Sequence, residues 1–251
     1  MELTVLGCGG TWADPGGATS GYLIREDGFN LWLDCGSGTL ARLEQIIPMS
    51  EIHAVLVSHA HPDHFVDLYP CFYARHYAGK GAPGLPLFCP EGFFDQVGGL
   101  VSSESRDVMA TAFNWLELHG DADFEVGPFR VQARDMAHIG VPALGYRIEM
   151  DGRALAYSGD TGPSEHLVEL AREADVFLCE ATWQEDMDLL PFHLSGRQAG
   201  EHAQAAEVDR LVLTHIWPSL DKERSRTEAA ETFSGPIDIA REGMVLQIGD
   251  S

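Results

Sequence analysis

A chain of 251 residues, 45% hydrophobic and 22% charged, is long enough to bury a substantial core, either as one large domain or as two small ones. Its 39 Asp and Glu against 16 Lys and Arg give a formal net charge of −23. That sets it against a long RNA or DNA partner, whose affinity comes largely from lysines and arginines neutralising phosphates. No stretch approaches the roughly 20 apolar residues of a membrane span, and Met1-Glu2-Leu3-Thr4 opens no secretory signal, so the expectation is a cytoplasmic protein.

In chain order, the first third reads as short strands over 3–6, 22–25 and 31–33, with Gly7, Gly9, Gly10, Gly16, Gly17, Gly36 and Gly38 in the turns. The spacing of Leu40, Leu43, Ile46 and Ile47 predicts a helix over 39–46 that Pro48 stops. A strand over 54–57 follows. A helix over 65–77 carries an aromatic stripe (Phe65, Tyr69, Phe72, Tyr73, Tyr77), which is assigned to packing. A short strand at 85–88 precedes residues 90–126, the least readable part. Strand signals resume at 129–133, 143–150 and 153–157, the last two joined by a tight Asp151-Gly152 turn. Then come a helix over 164–174, a strand at 176–179, a helix over 195–206, a strand at 210–213, a helix over 222–233 and a strand at 244–248. No internal repeat or linker breaks the sequence. Two β-rich halves that each acquire helices predict one α/β domain over 1–251, with two mixed sheets face to face and helices outside.

The five cysteines, Cys8, Cys35, Cys71, Cys89 and Cys179, are scattered without a C-x-x-C pair, as expected of buried free thiols in a reducing compartment. The nearest approach to a basic patch is Arg224 with Arg226.

The chemistry is concentrated in His59-Ala60-His61-Pro62-Asp63-His64, directly after the apolar run 54–57. In an extended or turning segment His59 and His61 point the same way and can share one ion. Asp63 and His64 lie past the bend and can face a second. Imidazole nitrogen with carboxylate oxygen suits Zn²⁺, with Mn²⁺ or Fe as other occupants. Three more donors stand at strand ends: His138 in Asp135-Met136-Ala137-His138, Asp160 in Ser158-Gly159-Asp160-Thr161, and His215 in Leu213-Thr214-His215. Each alone is a weak signal; together with the cluster they form a ligand set. His53, His76, His119, His166 and His202 lack such a context and read as surface or helix residues. The loop Gly7-Cys8-Gly9-Gly10-Thr11 has no helix signal after it, so it reads as a tight turn and not as a nucleotide-binding P-loop.

These motifs resemble the metallo-β-lactamase fold superfamily. Cys179-Glu180-Ala181-Thr182 and His193-Leu194-Ser195-Gly196 are similar to its ribonuclease-Z-like branch, nearest to small bacterial proteins that include cyclic-nucleotide phosphodiesterases. The resemblance implies a four-layer αββα sandwich and a dinuclear site. In that site His59, His61 and His138 hold one divalent ion, Asp63, His64 and His215 hold the other, and Asp160 bridges them. A water shared by two such ions becomes acidic enough to attack phosphorus near neutral pH. By the same resemblance Asp63, Glu180 and His193 take part in catalysis, with Glu180 orienting His193 and His193 protonating the leaving alkoxide. Asp34, in Asp34-Cys35-Gly36, resembles an early-strand aspartate that orients a ligand histidine; a turn cap is the other reading.

The expected substrate is a small phosphodiester, above all a 3′,5′-cyclic nucleotide. A tRNA 3′-processing endonuclease is the first alternative, and hydrolysis of a carbon ester such as a lactone or thioester the second. The tRNA enzymes usually carry a long basic arm between the third metal motif and the bridging aspartate. Only 21 residues separate His138 from Asp160 here, and they read as a hairpin. Relatives are often homodimers, which the resemblance extends to this chain.

Overall fold

The computed structural model describes residues 1–249. The first sheet uses β1 (Glu2–Gly7), β2 (Gly21–Glu26), β3 (Phe29–Cys35), β4 (Ala54–Leu56), β5 (Leu85–Pro90) and β6 (Phe113–Leu118), with β14 (Val245–Gln247) returning beside β1. Its order is β14-β1-β2-β3-β4-β5-β6. The second sheet uses β7 (Ala122–Val126), β8 (Phe129–Asp135), β9 (Leu144–Met150), β10 (Arg153–Tyr157), β11 (Val176–Glu180), β12 (Leu211–Thr214) and β13 (Ile237–Ile239), in the order β13-β12-β11-β10-β9-β8-β7. The sequence carries no repeat, yet the sheets are built alike. In each, one half pairs antiparallel, and the other half, β3 to β6 or β10 to β13, pairs parallel.

The central strands are apolar on both faces because both faces are covered. Along β3, Leu31 and Leu33 enter the core between the sheets, while Trp32 faces the outer core of the first sheet. Along β11, Val176 and Leu178 enter the same inner core, and Phe177 and Cys179 face the helices of the second sheet. Outside the first sheet lie α1 (Thr39–Leu43), α2 (Pro62–Phe65), α3 (Leu68–Tyr77), α4 (Phe93–Gly98) and α5 (Ser103–Ala112). Outside the second lie α6 (Glu165–Ala171), α7 (Gly196–Ala205) and α8 (Lys222–Ala230). The expected four-layer αββα sandwich is what forms.

The helix expected over 65–77 forms as α3 but begins at Leu68, with the short α2 ending at Phe65 before it. Pro62 opens α2, whose missing N–H costs nothing in a first turn. The chain then bends at Asp67, whose N–H donates to the Cys35 carbonyl (2.9 Å) while its carboxylate accepts from Leu40 N (2.8 Å). The stripe assigned to packing divides accordingly. Phe65 and Phe72 are buried, whereas Tyr77 is 71% exposed and Tyr73 also reaches the surface. The unreadable stretch 90–126 holds α4, α5, β6 and β7. Helix α5 buries only Met109 and Ala112, and β7 is an edge strand with polar alternation, so neither has a strong period. β13 is a three-residue edge strand that the sequence reading omitted. The Asp151-Gly152 turn is as expected, with positive φ at both residues. Cys35, Cys71, Cys89 and Cys179 are buried free thiols; Cys8 is partly exposed.

Candidate metal centre

The seven expected metal ligands, with Asp34 and Glu180, sit at one rim, where β3, β4, β8, β10, β11 and β12 end. His59 and His61 follow β4, His138 follows β8, Asp160 follows β10, Glu180 is the last residue of β11, and His215 follows β12. Glycine is required where two of these turns cross. A Cβ on Gly10 would lie 2.2 Å from the His215 carbonyl oxygen, and one on Gly36 2.0 Å from that of Asp63. Three non-glycine residues here hold positive φ, namely Thr11 (60°), Asp34 (53°) and His215 (54°). Such strain persists only where surrounding contacts enforce it.

One group of donors comprises His59, His61, His138 and Asp160. His61 Nδ1 lies 3.1 Å from His59 Nε2 and 3.0 Å from His138 Nε2. The far nitrogens fix which atoms face inward. His138 Nδ1–H donates to the Phe192 carbonyl (2.9 Å). Ser58 Oγ gives its proton to Asp34 Oδ2 (2.7 Å) and therefore accepts from His59 Nδ1 (3.0 Å). His59 and His138 thus turn bare lone pairs toward the same point as His61. Burial first, then the neighbouring imidazoles, pushes His59 well below the ordinary histidine range; burial and adjacent imidazoles lower His61 and His138 as well. Converging lone pairs repel one another unless a cation lies between them, and nitrogens bound 2.0–2.1 Å from Zn²⁺ stand at about this spacing.

The second group is Asp63, His64 and His215. His215 Nε2 is 3.1 Å from Asp63 Oδ2, and His64 Nε2 is 3.6 Å from it. Asp160 lies between the groups, with Oδ1 3.2 Å from His64 Nε2 and Oδ2 3.4 Å from His215 Nε2 and 3.7 Å from His59 Nε2. His64 Nε2 and Asp160 Oδ1 are buried, yet neither has a hydrogen-bond partner among the described residues. Two buried ligand atoms, an imidazole nitrogen and a carboxylate oxygen, left without partners side by side are what a divalent cation would satisfy, so the residues fit a metal site. Burial would raise the Asp63 and Asp160 carboxyls, but nearby imidazoles (His64 before His215 for Asp63, His215 before His64 for Asp160) hold both far below the usual range. Burial would lower His64, but Asp160, then Asp63 and Asp34, raise it well above the usual value.

Asp34 is fully buried and does not cap a turn. Its Oδ2 accepts from His64 Nδ1, Ser58 Oγ and Tyr157 OH, each at 2.7 Å, and its Oδ1 accepts from Ser58 N at 2.7 Å. Glu180 is also fully buried. Its Oε1 accepts from His193 Nδ1 (2.8 Å) and Thr161 N (2.7 Å), and its Oε2 from Thr182 Oγ1 (2.7 Å) and Leu194 N (3.2 Å). His193 caps nothing; the cap of α7 is Ser195. A ring nitrogen of His193 groups with Asp160 and His215 within 4.8 Å. Burial would lower His193, but Glu180 and then Asp160 raise it to about 9.

Sequence reasoning missed Thr182. Its hydroxyl donates to Glu180 and accepts from His215 Nδ1 (2.8 Å), so one side chain ties the partner of His193 to a donor of the second group. It also missed Thr11, whose N–H donates to Asp63 Oδ2 (2.9 Å) from the loop read as a tight turn. Among the remaining histidines, His202 is buried and ties α7 to the start of α6 through Gln198 O (2.7 Å) and Ser164 N (3.2 Å). His53 accepts from Asn30 N (3.0 Å). Arg224 is paired with Asp186 and Glu228, and Arg226 with Glu223, so no free basic patch forms there.

A family model, the beta-lactamase superfamily domain, matches residues 29–216, which includes every donor of both groups. The chain belongs to that family. It is 37% identical over 254 residues to a Mycobacterium leprae protein, ML1173, covering 99% of this chain and 89% of the relative. It is 28% identical to the probable metallo-hydrolase YhfI of Bacillus subtilis, covering 98% of this chain and all of YhfI. The crystal structure of YhfI superimposes with a TM-score of 0.88 over 98% of this chain and 99% of that one. A ribonuclease Z of Mycobacterium bovis is 29% identical over 271 residues, covering 96% of each chain. The resemblance to the superfamily and its ribonuclease-Z-like members therefore holds over nearly the whole length.

Proposed function

We propose that this metallo-hydrolase cleaves a small phosphodiester, with a 3′,5′-cyclic nucleotide as the leading substrate, using two divalent cations. In this reading His59, His61 and His138 would hold one cation, Asp63, His64 and His215 the other, and Asp160 would reach both. The chemistry two cations would supply there is an acidified water as nucleophile and positive charge for the phosphorane-like transition state. The chain's own residues do the rest. Asp34, Ser58, Thr182 and the Phe192 carbonyl hold the far ring nitrogens, which orients the near ones.

The observation that carries the choice of a phosphodiester is the buried Glu180–His193 pair beside Asp160. Glu180 accepts from Nδ1, so the proton available for transfer is the one on Nε2. An alkoxide leaving phosphorus must be protonated or otherwise neutralised, whereas a thioester expels a thiolate that leaves without such a donor.

A precursor tRNA is the second reading, favoured by the similarity to ribonuclease Z. Against it stand the charge of −23 and the segment between His138 and Asp160, where β9 and β10 form a plain hairpin without an arm. The test is a panel of cyclic nucleotides, bis(p-nitrophenyl) phosphate, precursor tRNA and a lactone offered to metal-loaded protein. Turnover of cyclic nucleotide without tRNA cleavage supports the proposal. Cleavage of tRNA alone, or of lactone alone, replaces it.

A further inference from the structure

One flank of the centre is a wall of three indoles. Trp183 meets His193 edge-on, with ring centroids 5.3 Å apart. Trp217 meets Trp183 edge-on at 4.7 Å, and Trp12 lies against Trp217 at 5.4 Å with the rings 44° apart. The wall therefore runs from the proposed proton donor outward to Trp12, which is 44% exposed. It is tied to the centre by a relay of two hydrogen bonds through Thr11. Trp217 Nε1–H donates to Thr11 Oγ1 (3.0 Å), and Thr11 N–H donates to Asp63 Oδ2.

Folding alone gives no reason for this arrangement. Thr11 is β-branched and held at positive φ, a conformation such residues avoid, and the strained turn presents a large aromatic ring to water. An indole left half in solvent beside a polar centre is suited to an aromatic ligand group, since its flat face stacks and its attraction does not depend on charge. That independence matters in a chain with a net charge of −23, which gives a phosphate no general attraction.

We propose that Trp12, backed by Trp217, is the platform on which the base of a nucleotide substrate stacks while its phosphate lies over the metal centre. The inference rests on the phosphodiester reading and names the substrate class as a nucleoside phosphate. Stacking of one base on an aromatic side chain corresponds to about 5- to 150-fold in affinity.

The test uses zinc-loaded protein, isothermal calorimetry and two probes, adenosine 5′-monophosphate and ribose 5-phosphate, which lacks the base. Wild-type protein is expected to bind the nucleotide at least about 5-fold tighter. Trp12→Ala should bring that ratio close to one, and Trp12→Phe should keep most of it. Trp12→Leu, apolar without a π-face, should behave like alanine. A wild-type ratio near one overturns the platform even if cyclic nucleotides are hydrolysed. A ratio that survives Trp12→Ala, or that leucine restores as well as phenylalanine, overturns it too. A ratio that follows the ring in a protein that cleaves no phosphodiester supports the platform and removes only the catalytic reading.

Discussion

Asp34 Oδ2 and His64 Nδ1 lie 2.7 Å apart, both fully buried, and this one contact decides which nitrogen of His64 faces the centre. Asp34 sits at a φ of 53°, where asparagine is nearly as well tolerated as aspartate. Asp34→Asn should therefore keep the fold while weakening the acceptor that holds the ring. Equilibrium dialysis should show zinc affinity reduced about 10- to 100-fold. Unchanged affinity would mean that the contact supports only the fold.

If His64 holds a cation, protons compete with it there. Its folded value is raised above the ordinary one, so the proton's contribution to metal-free stability is complete below about 6.5 and is lost as pH rises through the folded value. Asp63 and Asp160 are depressed, so their contribution is present above the ordinary carboxylate range and is lost only in acid. The gap in Tm between zinc-loaded and chelator-treated protein should widen as pH rises from about 6 toward 9. Zinc at 100 times its Kd stabilises by about 2.7 kcal/mol, which sets the scale. Differential scanning calorimetry across that range checks it, and a gap that narrows would count against cation binding at His64.

His193→Ala should slow hydrolysis of a cyclic nucleotide by about 10²- to 10⁴-fold and that of an activated nitrophenyl ester far less, because nitrophenolate leaves without a proton. The protonated ring is present below its pKa, so the rate should fall as pH rises toward about 9; bound cations would bring that limb lower. Steady-state rates on both substrates check the pair, and equal losses would remove the general-acid role.

Thr182 bridges Glu180 and His215, so Thr182→Val, nearly the same shape without the hydroxyl, should disturb both. Leaving a buried acceptor and donor short of a partner costs about 1–3 kcal/mol each. The expected result is weaker binding of one cation together with a lower kcat, and Thr182→Ser should restore both. Dialysis and kinetics on the two variants check it; a valine variant with full metal content and full rate would show the bridge to be idle.

The layers and the donors were legible in the sequence for one reason: buried parallel strands are short apolar runs, and chemistry stands where each run stops. His59, His138, Asp160 and His215 all obey that rule. Thr182 and Thr11 do not announce themselves, because a hydroxyl or a backbone N–H takes its role from what the fold brings near it. Trp12 and Trp217 are 205 positions apart and meet only through the crossing of the loops at Gly10 and His215. Residues 90–126 stayed unreadable because α4 is short, α5 buries few side chains and β7 is a polar edge. Tyr73 and Tyr77 reach the surface because α3 turns only Leu68, Cys71, Phe72 and Arg75 inward.

The central claim is that seven side chains hold two cations. Elemental analysis of protein loaded with zinc and freed of excess should find close to two ions per chain, falling to about one when Asp63 and His215 are both replaced by alanine. A wild-type content below one ion per chain, with the protein folded, would contradict the account.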